Sequence, residues 1–247
     1  ALSIISRRAR RLAVPLTVVE PAPLLGWDRD GLVVDLPRLG ATRVGLRGRH
    51  QAANVATADA LLDALEEAGI ARAPEEARRR GYADVRWPGR LELLTVGGRD
   101  VLLDGAHNPA GAAALAVALD DLRPHLAPGP LTVVVASMAD KDVDGVVGAL
   151  AGAGALRGAR IVATAVDAPR AEPAGDLAAR WRRLAGSHVG SVEAVASVDA
   201  ALDRALAASG GGPIVVAGSL YLVGEARARF VHAPVLRDSA PAAAPAR

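Results

Sequence analysis

Beyond residue 90 the chain alternates short β-branched runs with alanine-rich helical runs, and this alternation constrains the fold more than any other feature. Strand-like runs recur at residues 91–96, 101–103, 131–136, 160–165, 192–195 and 214–217. Helical runs cover 109–122 and 219–230, and helices are expected in the remaining gaps. Such β-then-α units bury their apolar faces when the strands lie side by side in a mostly parallel sheet with helices on both faces. The expected class is therefore α/β, with a doubly wound, Rossmann-like sheet. The first two runs are close enough to pair as a hairpin, and no internal repeat is visible.

The first third reads differently. It predicts a helix up to residue 12, strands at 16–19, 32–36 and 42–46, and a long helix over 50–69. In that helix Val55, Ala58, Leu61, Leu62 and Leu65 fall at helical spacing and Gly69 supplies the stop. A second helix is predicted over 74–81. The segment YADVRWPGR, from Tyr82 to Arg90, then carries a Trp-Pro-Gly break where a domain boundary is expected. The division is accordingly 1–81, 82–232, and an Ala/Pro-rich tail, 233–247, expected to be disordered.

With 247 residues, 51% of them hydrophobic, the chain can bury a real core. It has no cysteine, which excludes disulfides, thiolate metal sites and a cysteine nucleophile. Of its 29 basic residues only Lys141 is lysine, so the high isoelectric point coexists with a formal charge of +2 and does not argue for nucleic acid. Aromatics, at 2%, leave little from which to build base-stacking platforms. No apolar run approaches the roughly 20 residues of a membrane span, and the arginines at 7, 8, 10 and 11 follow the short apolar stretch, the reverse of a secretory signal. A cytoplasmic protein without nucleic-acid or membrane partners is expected. The chain opens on Ala1 and its only methionine is Met138, so its natural beginning is expected to lie upstream.

In doubly wound sheets ligands gather at the carboxyl ends of strands. Asp104-Gly105-Ala106-His107-Asn108-Pro109 follows one such strand and leads into a helix that Asn108 can cap and Pro109 can open. A carboxylate there suits ribose hydroxyls and an imidazole suits phosphate; the competing reading is that Asp104 and His107 only satisfy turn backbone groups. Arg90, after the Trp-Pro-Gly turn, is an always-charged planar donor suited to phosphate, or else a solvated surface charge. Asn54, one turn into the long helix, carries an amide able to read an adenine edge, or faces water. Asp140-Lys141-Asp142 is suited to orienting a phosphate or carboxylate, unless it is a surface ion-pair cluster. Arg170 is suited to a substrate carboxylate. Ser219 reads first as a helix N-cap, because Gly218-Ser219 lacks the flanking glycines of a nucleophile elbow, which leaves a serine hydrolase with Asp104 and His107 poorly supported.

Two absences narrow the choice. The single lysine is followed by Asp142, so the 247 residues contain no Gly-Lys-Ser/Thr phosphate loop. The glycines at 152, 154 and 158 have the wrong spacing for a dinucleotide fingerprint and precede a strand, which disfavours a Rossmann dehydrogenase.

HQAANVATA from His50, WPGRLELL from Trp87, LLDGAHNPAGAAAL from Leu102, the Asp140-Lys141-Asp142 cluster, Pro169-Arg170 and GSLYLVGE from Gly218 together resemble, in that order, the carboxyl-terminal part of folylpolyglutamate synthases and dihydrofolate synthases, in the Mur ligase family. The resemblance covers most of the chain up to about residue 231, and WPGRLE with DGAHNP is its most specific pair. It implies a Mur ligase C-terminal domain preceded by the end of a central ATPase domain. It also implies ATP-dependent addition of L-glutamate to dihydropteroate or folates through an acyl phosphate, by a monomer that uses ATP and Mg2+.

Residue by residue, the resemblance implies Asn54 at adenine, Arg90 at the ATP phosphates, Asp104 at the ribose and His107 beside the nucleotide, the one catalytic candidate. Arg170, and more weakly Lys141, would hold the amino acid. The family's phosphate loop and magnesium ligands lie upstream of anything matched, so a truncated, inactive chain is expected. Another Mur-type amide ligase and a non-catalytic nucleotide-binding module are the alternatives.

Overall fold

The computed structural model describes residues 2–208 and 210–231, and the tail expected at 233–247 lies outside them. The chain divides into two compact units, Ala1–Trp87 with Asp121–His125, and Pro88–Asp120 with Leu126–Arg247.

In the first unit, α1 (Leu2–Leu12) buries no residue. An antiparallel sheet follows, β1 (Leu24–Asp28), β2 (Gly31–Leu36) and β3 (Gly40–Val44), in the order β1-β2-β3. On β2, Leu32, Val34 and Leu36 are buried while Val33 and Asp35 are not, the period-2 pattern of a one-sided strand. Their buried face meets Val55 and the alanines at 52 and 56 of α2 (Gln51–Glu67). The last helix of the unit, α3 (Glu75–Asp84), packs against β3. The strand expected at 16–19 is not formed: residues 14–23 have no regular structure, and Leu16 and Val18 are exposed. Pro15, Pro21 and Pro23 remove ladder donors on both sides of that apolar run. The strand that does form, β1, contains Gly26 and ends on Asp28, both poor strand signals.

The second unit is a six-stranded sheet in the order β4-β5-β9-β6-β7-β8. Its strands are β4 (Glu92–Val96), β5 (Arg99–Asp104), β6 (Thr132–Val135), β7 (Arg160–Ala163), β8 (Ser191–Ala194) and β9 (Ile214–Ala217). β4 runs antiparallel to β5, and every other pairing is parallel. One face packs Val101, Val134, Val162 and Val216 against α7 (Val198–Leu206) and α8 (Leu220–Phe230). The alternate residues Leu102, Val133, Ile161 and Val215 are equally buried. On that side α6 (Ala174–Ala185) covers β7 and β8 and packs with α5 (Val143–Ala151), while α4 (Pro109–Leu122) links β5 to β6. Burial on both faces makes these strands continuous apolar runs, as the sequence displays. The fold is the α/β class with a mostly parallel sheet. Because β9, last in sequence, pairs between β5 and β6, the loops after these three strands adjoin at one carboxyl edge.

Candidate functional site

At that edge Asp104 ends β5 and is 9% exposed. Its Oδ2 accepts the amide of Leu91 at 3.0 Å and its Oδ1 accepts that of Ala106 at 2.9 Å. Burial raises its carboxyl pKa above the ordinary value, against the opposing pull of the two amides and of Arg90. The amide of Gly105 donates to the carbonyl of Gly89 at 2.9 Å, so the 87–91 turn and the 104–108 loop are bound to each other twice over.

Residues 89–91 need unusual backbone. Gly89 has φ +70°, and a Cβ there would lie 2.8 Å from Val223 Cγ1. Leu91, 1% exposed, has φ +45°, a left-handed conformation uncommon for a branched side chain. Between them Arg90 is exposed, and among the described residues its guanidinium has no hydrogen-bond partner. His107 is half-buried, with Nδ1 2.8 Å from the carbonyl of Gly105. Since a carbonyl only accepts, Nδ1 carries the proton there, leaving Nε2 of the neutral ring an acceptor. Asn108 caps α4 by accepting the amide of Gly111 at 2.8 Å, and Pro109 is the first helical residue.

The other candidates of this unit lie on the loops after β6 and β7. Arg170 is paired with Asp140 at 2.5 Å, and the amide of Ala139 donates to the carbonyl of Arg170 at 2.8 Å. Asp142 caps α5 through Gly145 at 2.9 Å, while Lys141 is exposed. The acidic-basic cluster thus splits into an ion pair, a cap and one solvent-facing ammonium. Ser219, after β9, is 1% exposed and caps α8 by accepting the amide of Tyr221 at 3.2 Å, which is not the setting of an accessible nucleophile.

Asn54 belongs to the first unit. It is exposed on α2, and its amide donates to Gln51 Oε1 at 2.8 Å. It borders a largely apolar cavity of about 410 Å³ whose walls include Leu46, Val55, Tyr82, Val85 and Trp87. The structure therefore gathers Arg90, Asp104 and His107 at one edge and places Arg170 and Lys141 on neighbouring strand ends of the same unit, with Asn54 in the other unit. Glu92 closes the WPGRLE motif, but its pairing with Arg227, which holds the 89–91 turn, carries no sequence signal, the two being 135 positions apart. Among the described residues no cluster of three or more His, Asp and Glu could hold a metal ion. The Mg2+ implied by the sequence resemblance does not fit these residues. No described helix is long and apolar enough to cross a membrane.

This fold, with its loops at a parallel-sheet edge, has a family counterpart. Residues 89–220 match the Mur ligase, glutamate ligase domain, and the chain belongs to the Mur ligase family. Its relatives narrow the comparison. It is 37% identical over 217 residues to the probable bifunctional folylpolyglutamate synthase/dihydropteroate synthase of Haloferax volcanii, covering 87% of this chain and 23% of that protein. It is 41% identical over 128 residues to the dihydrofolate synthase/folylpolyglutamate synthase of Mycobacterium tuberculosis, covering 49% of this chain and 25% of that protein. Among solved structures, Mycobacterium tuberculosis folylpolyglutamate synthase complexed with ADP and AMPPCP matches with a TM-score of 0.72 at 27% identity, over 94% of this chain and 53% of that one. The matched region is less than half of the length of either curated relative and 53% of the solved chain.

Proposed function

We propose that this chain serves an ATP-dependent ligase that adds L-glutamate to dihydropteroate, to folates or to both. The observation that carries the reading is the Arg90 turn, an exposed guanidinium on a turn tied by three hydrogen bonds beside a buried carboxylate. An exposed guanidinium that makes no hydrogen bond among the described residues is suited to phosphate oxygens. Asp104 has one lone-pair site on each oxygen taken by an amide, and those remaining would accept ribose hydroxyls. The sequence resemblance gives Asn54 the adenine edge. The names of the relatives, with ADP and AMPPCP in a solved one, support the same reading.

A carboxylate is a poor electrophile, and transfer of the γ-phosphoryl group to it gives an acyl phosphate. The glutamate amine then displaces phosphate and forms the amide. Catalysis of this kind is mainly positioning and charge neutralisation. Arg90 would neutralise phosphate charge, His107 Nε2 would accept a proton or hydrogen bond beside it, and Arg170 with Lys141 would hold glutamate carboxylates once Asp140 is displaced from Arg170. No step is assigned to a metal within these residues.

Because the 247 residues lack a Gly-Lys-Ser/Thr loop, the test reads binding rather than turnover. Calorimetric titration with ATP should show saturable binding that Arg90→Ala weakens about tenfold or more, as expected for loss of a charge-assisted phosphate contact. Glutamate-dependent phosphate release from this chain should be absent. Binding that Arg90→Ala leaves untouched removes Arg90 from the site, and phosphate release overturns the expectation of an inactive chain.

A further inference from the structure

The turn that presents Arg90 is held from a third side by a residue that the proposed chemistry does not use. Glu92 is the first residue of β4, with its side chain 17% exposed. Its Oε2 accepts the amide of Gly89 at 2.7 Å. Both of its oxygens also accept from Nε of Arg227, at 3.1 and 3.0 Å, on the last turn of α8.

The backbone on either side of Arg90 is thus tied at Gly89 N–H by Glu92, at Gly89 C=O by Gly105 and at Leu91 N–H by Asp104. These partners fall into two groups. Asp104 and Gly105 belong to the loop that would touch nucleotide, whereas Glu92 opens β4 and Arg227 lies on α8. A left-handed Leu91 and a left-handed Gly89 with no room for a Cβ persist only where their surroundings over-determine them. Without the Glu92 acceptor, the Gly89 amide loses its partner and the turn loses its tie to α8.

We infer that Glu92, clamped by Arg227, is a positioning residue that sets the turn from which Arg90 reaches a phosphate group. The role is distinct from touching the ligand: Glu92 carries the charge that would repel phosphate, and its oxygens are occupied by Gly89 and Arg227. This rests on the nucleotide reading of Arg90, and the test separates the two.

Titration of the 247-residue chain with ATP and with adenosine, for wild type, Glu92→Ala, Arg90→Ala and the double variant, reads the role through the phosphates. Glu92→Ala should weaken ATP about tenfold, the scale of one weakened hydrogen bond to a charged group, leave adenosine unchanged, and add nothing in the Arg90→Ala background. Equal weakening of ATP and adenosine, or a loss that persists without Arg90, overturns the inference. If Glu92→Ala does not fold, Glu92→Gln, which keeps an acceptor for Gly89 but loses the charge that holds Arg227, should show a smaller loss of the same phosphate-specific kind. If the wild-type chain binds neither ligand, the nucleotide reading fails. Hydrogen exchange at the Gly89 and Leu91 amides then decides the bracing alone: faster exchange in the Glu92 variant supports it, and unchanged exchange overturns it.

Discussion

Asp104 shows how one buried carboxylate can be both a structural tie and a candidate ligand group. It meets the 89–91 turn through Leu91 and its own loop through Ala106, and its burial raises its carboxyl pKa above the ordinary 3.8. The folded state therefore holds the Asp104 proton more tightly than the unfolded chain does. This residue's contribution to stability is greatest at low pH and declines as pH rises through its raised value. Asp104→Asn removes that dependence. In denaturation series from about pH 3 to about pH 7, the stability of the variant relative to wild type should rise with pH, and a constant difference would contradict the assignment. At the same scale, Arg170 illustrates a group whose identity was readable and whose state was not. The sequence marks a guanidinium after a strand, but only the folded chain shows it already paired with Asp140.

Between elements, α2 and α3 are joined by a polar core. Arg78, its side chain 1% exposed, donates to Asp59 at 2.9 Å and Asp63 at 2.7 Å, and Nε reaches the carbonyl of Ala73 at 2.9 Å. The hydroxyl of Tyr82 donates to the same Asp59 oxygen at 2.9 Å, and burial with Asp59 nearby pushes its pKa well above the ordinary range. Removing Arg78 leaves the buried Asp59 without its counter-charge. Arg78→Ala should therefore cost the first unit about 3–5 kcal/mol in chemical denaturation followed by tryptophan fluorescence, while Arg78→Met combined with Asp59→Leu should recover only part of that loss, because the Tyr82 hydroxyl then lacks its acceptor. A double variant no more stable than the single one would show that packing, not charge burial, dominates. The helical spacing of α2 predicted a stripe of Val55, Ala58, Leu61, Leu62 and Leu65, but only Val55 of these is buried while Ala58 and Leu61 are exposed, and Asp59 on the buried side gave no hint of its partner 19 positions on.

Across the whole molecule, stability is unevenly distributed. The central strands β5, β6, β7 and β9 are buried on both faces, whereas α1 buries nothing. A helix of 11 residues without a packed face is marginal in water. Deleting residues 2–12 should change unfolding free energy by no more than about 0.5 kcal/mol, the range of surface changes; a larger loss, read by circular dichroism melting, would reveal packing that α1 does not show here.

The runs that became β5, β6, β7 and β9 were legible because strands buried on both faces are apolar and largely β-branched throughout. The sequence also supplied the order of motifs that resembled the ligase family, Asn108 as a cap and Pro109 as a helix opening. Residues 16–19 misled because an apolar run signals strand whether or not flanking prolines leave it a ladder. Sequence by itself determined the α/β class and the candidate residues, since periodicity, capping and motif spacing are local properties of the chain. Only the tertiary structure decided that β9 pairs between β5 and β6, that Leu91 takes a left-handed backbone, and that Glu92 meets Arg227. The physical reason is that strand order and ion pairing depend on which distant segments bury each other's surfaces, and no local pattern records that choice.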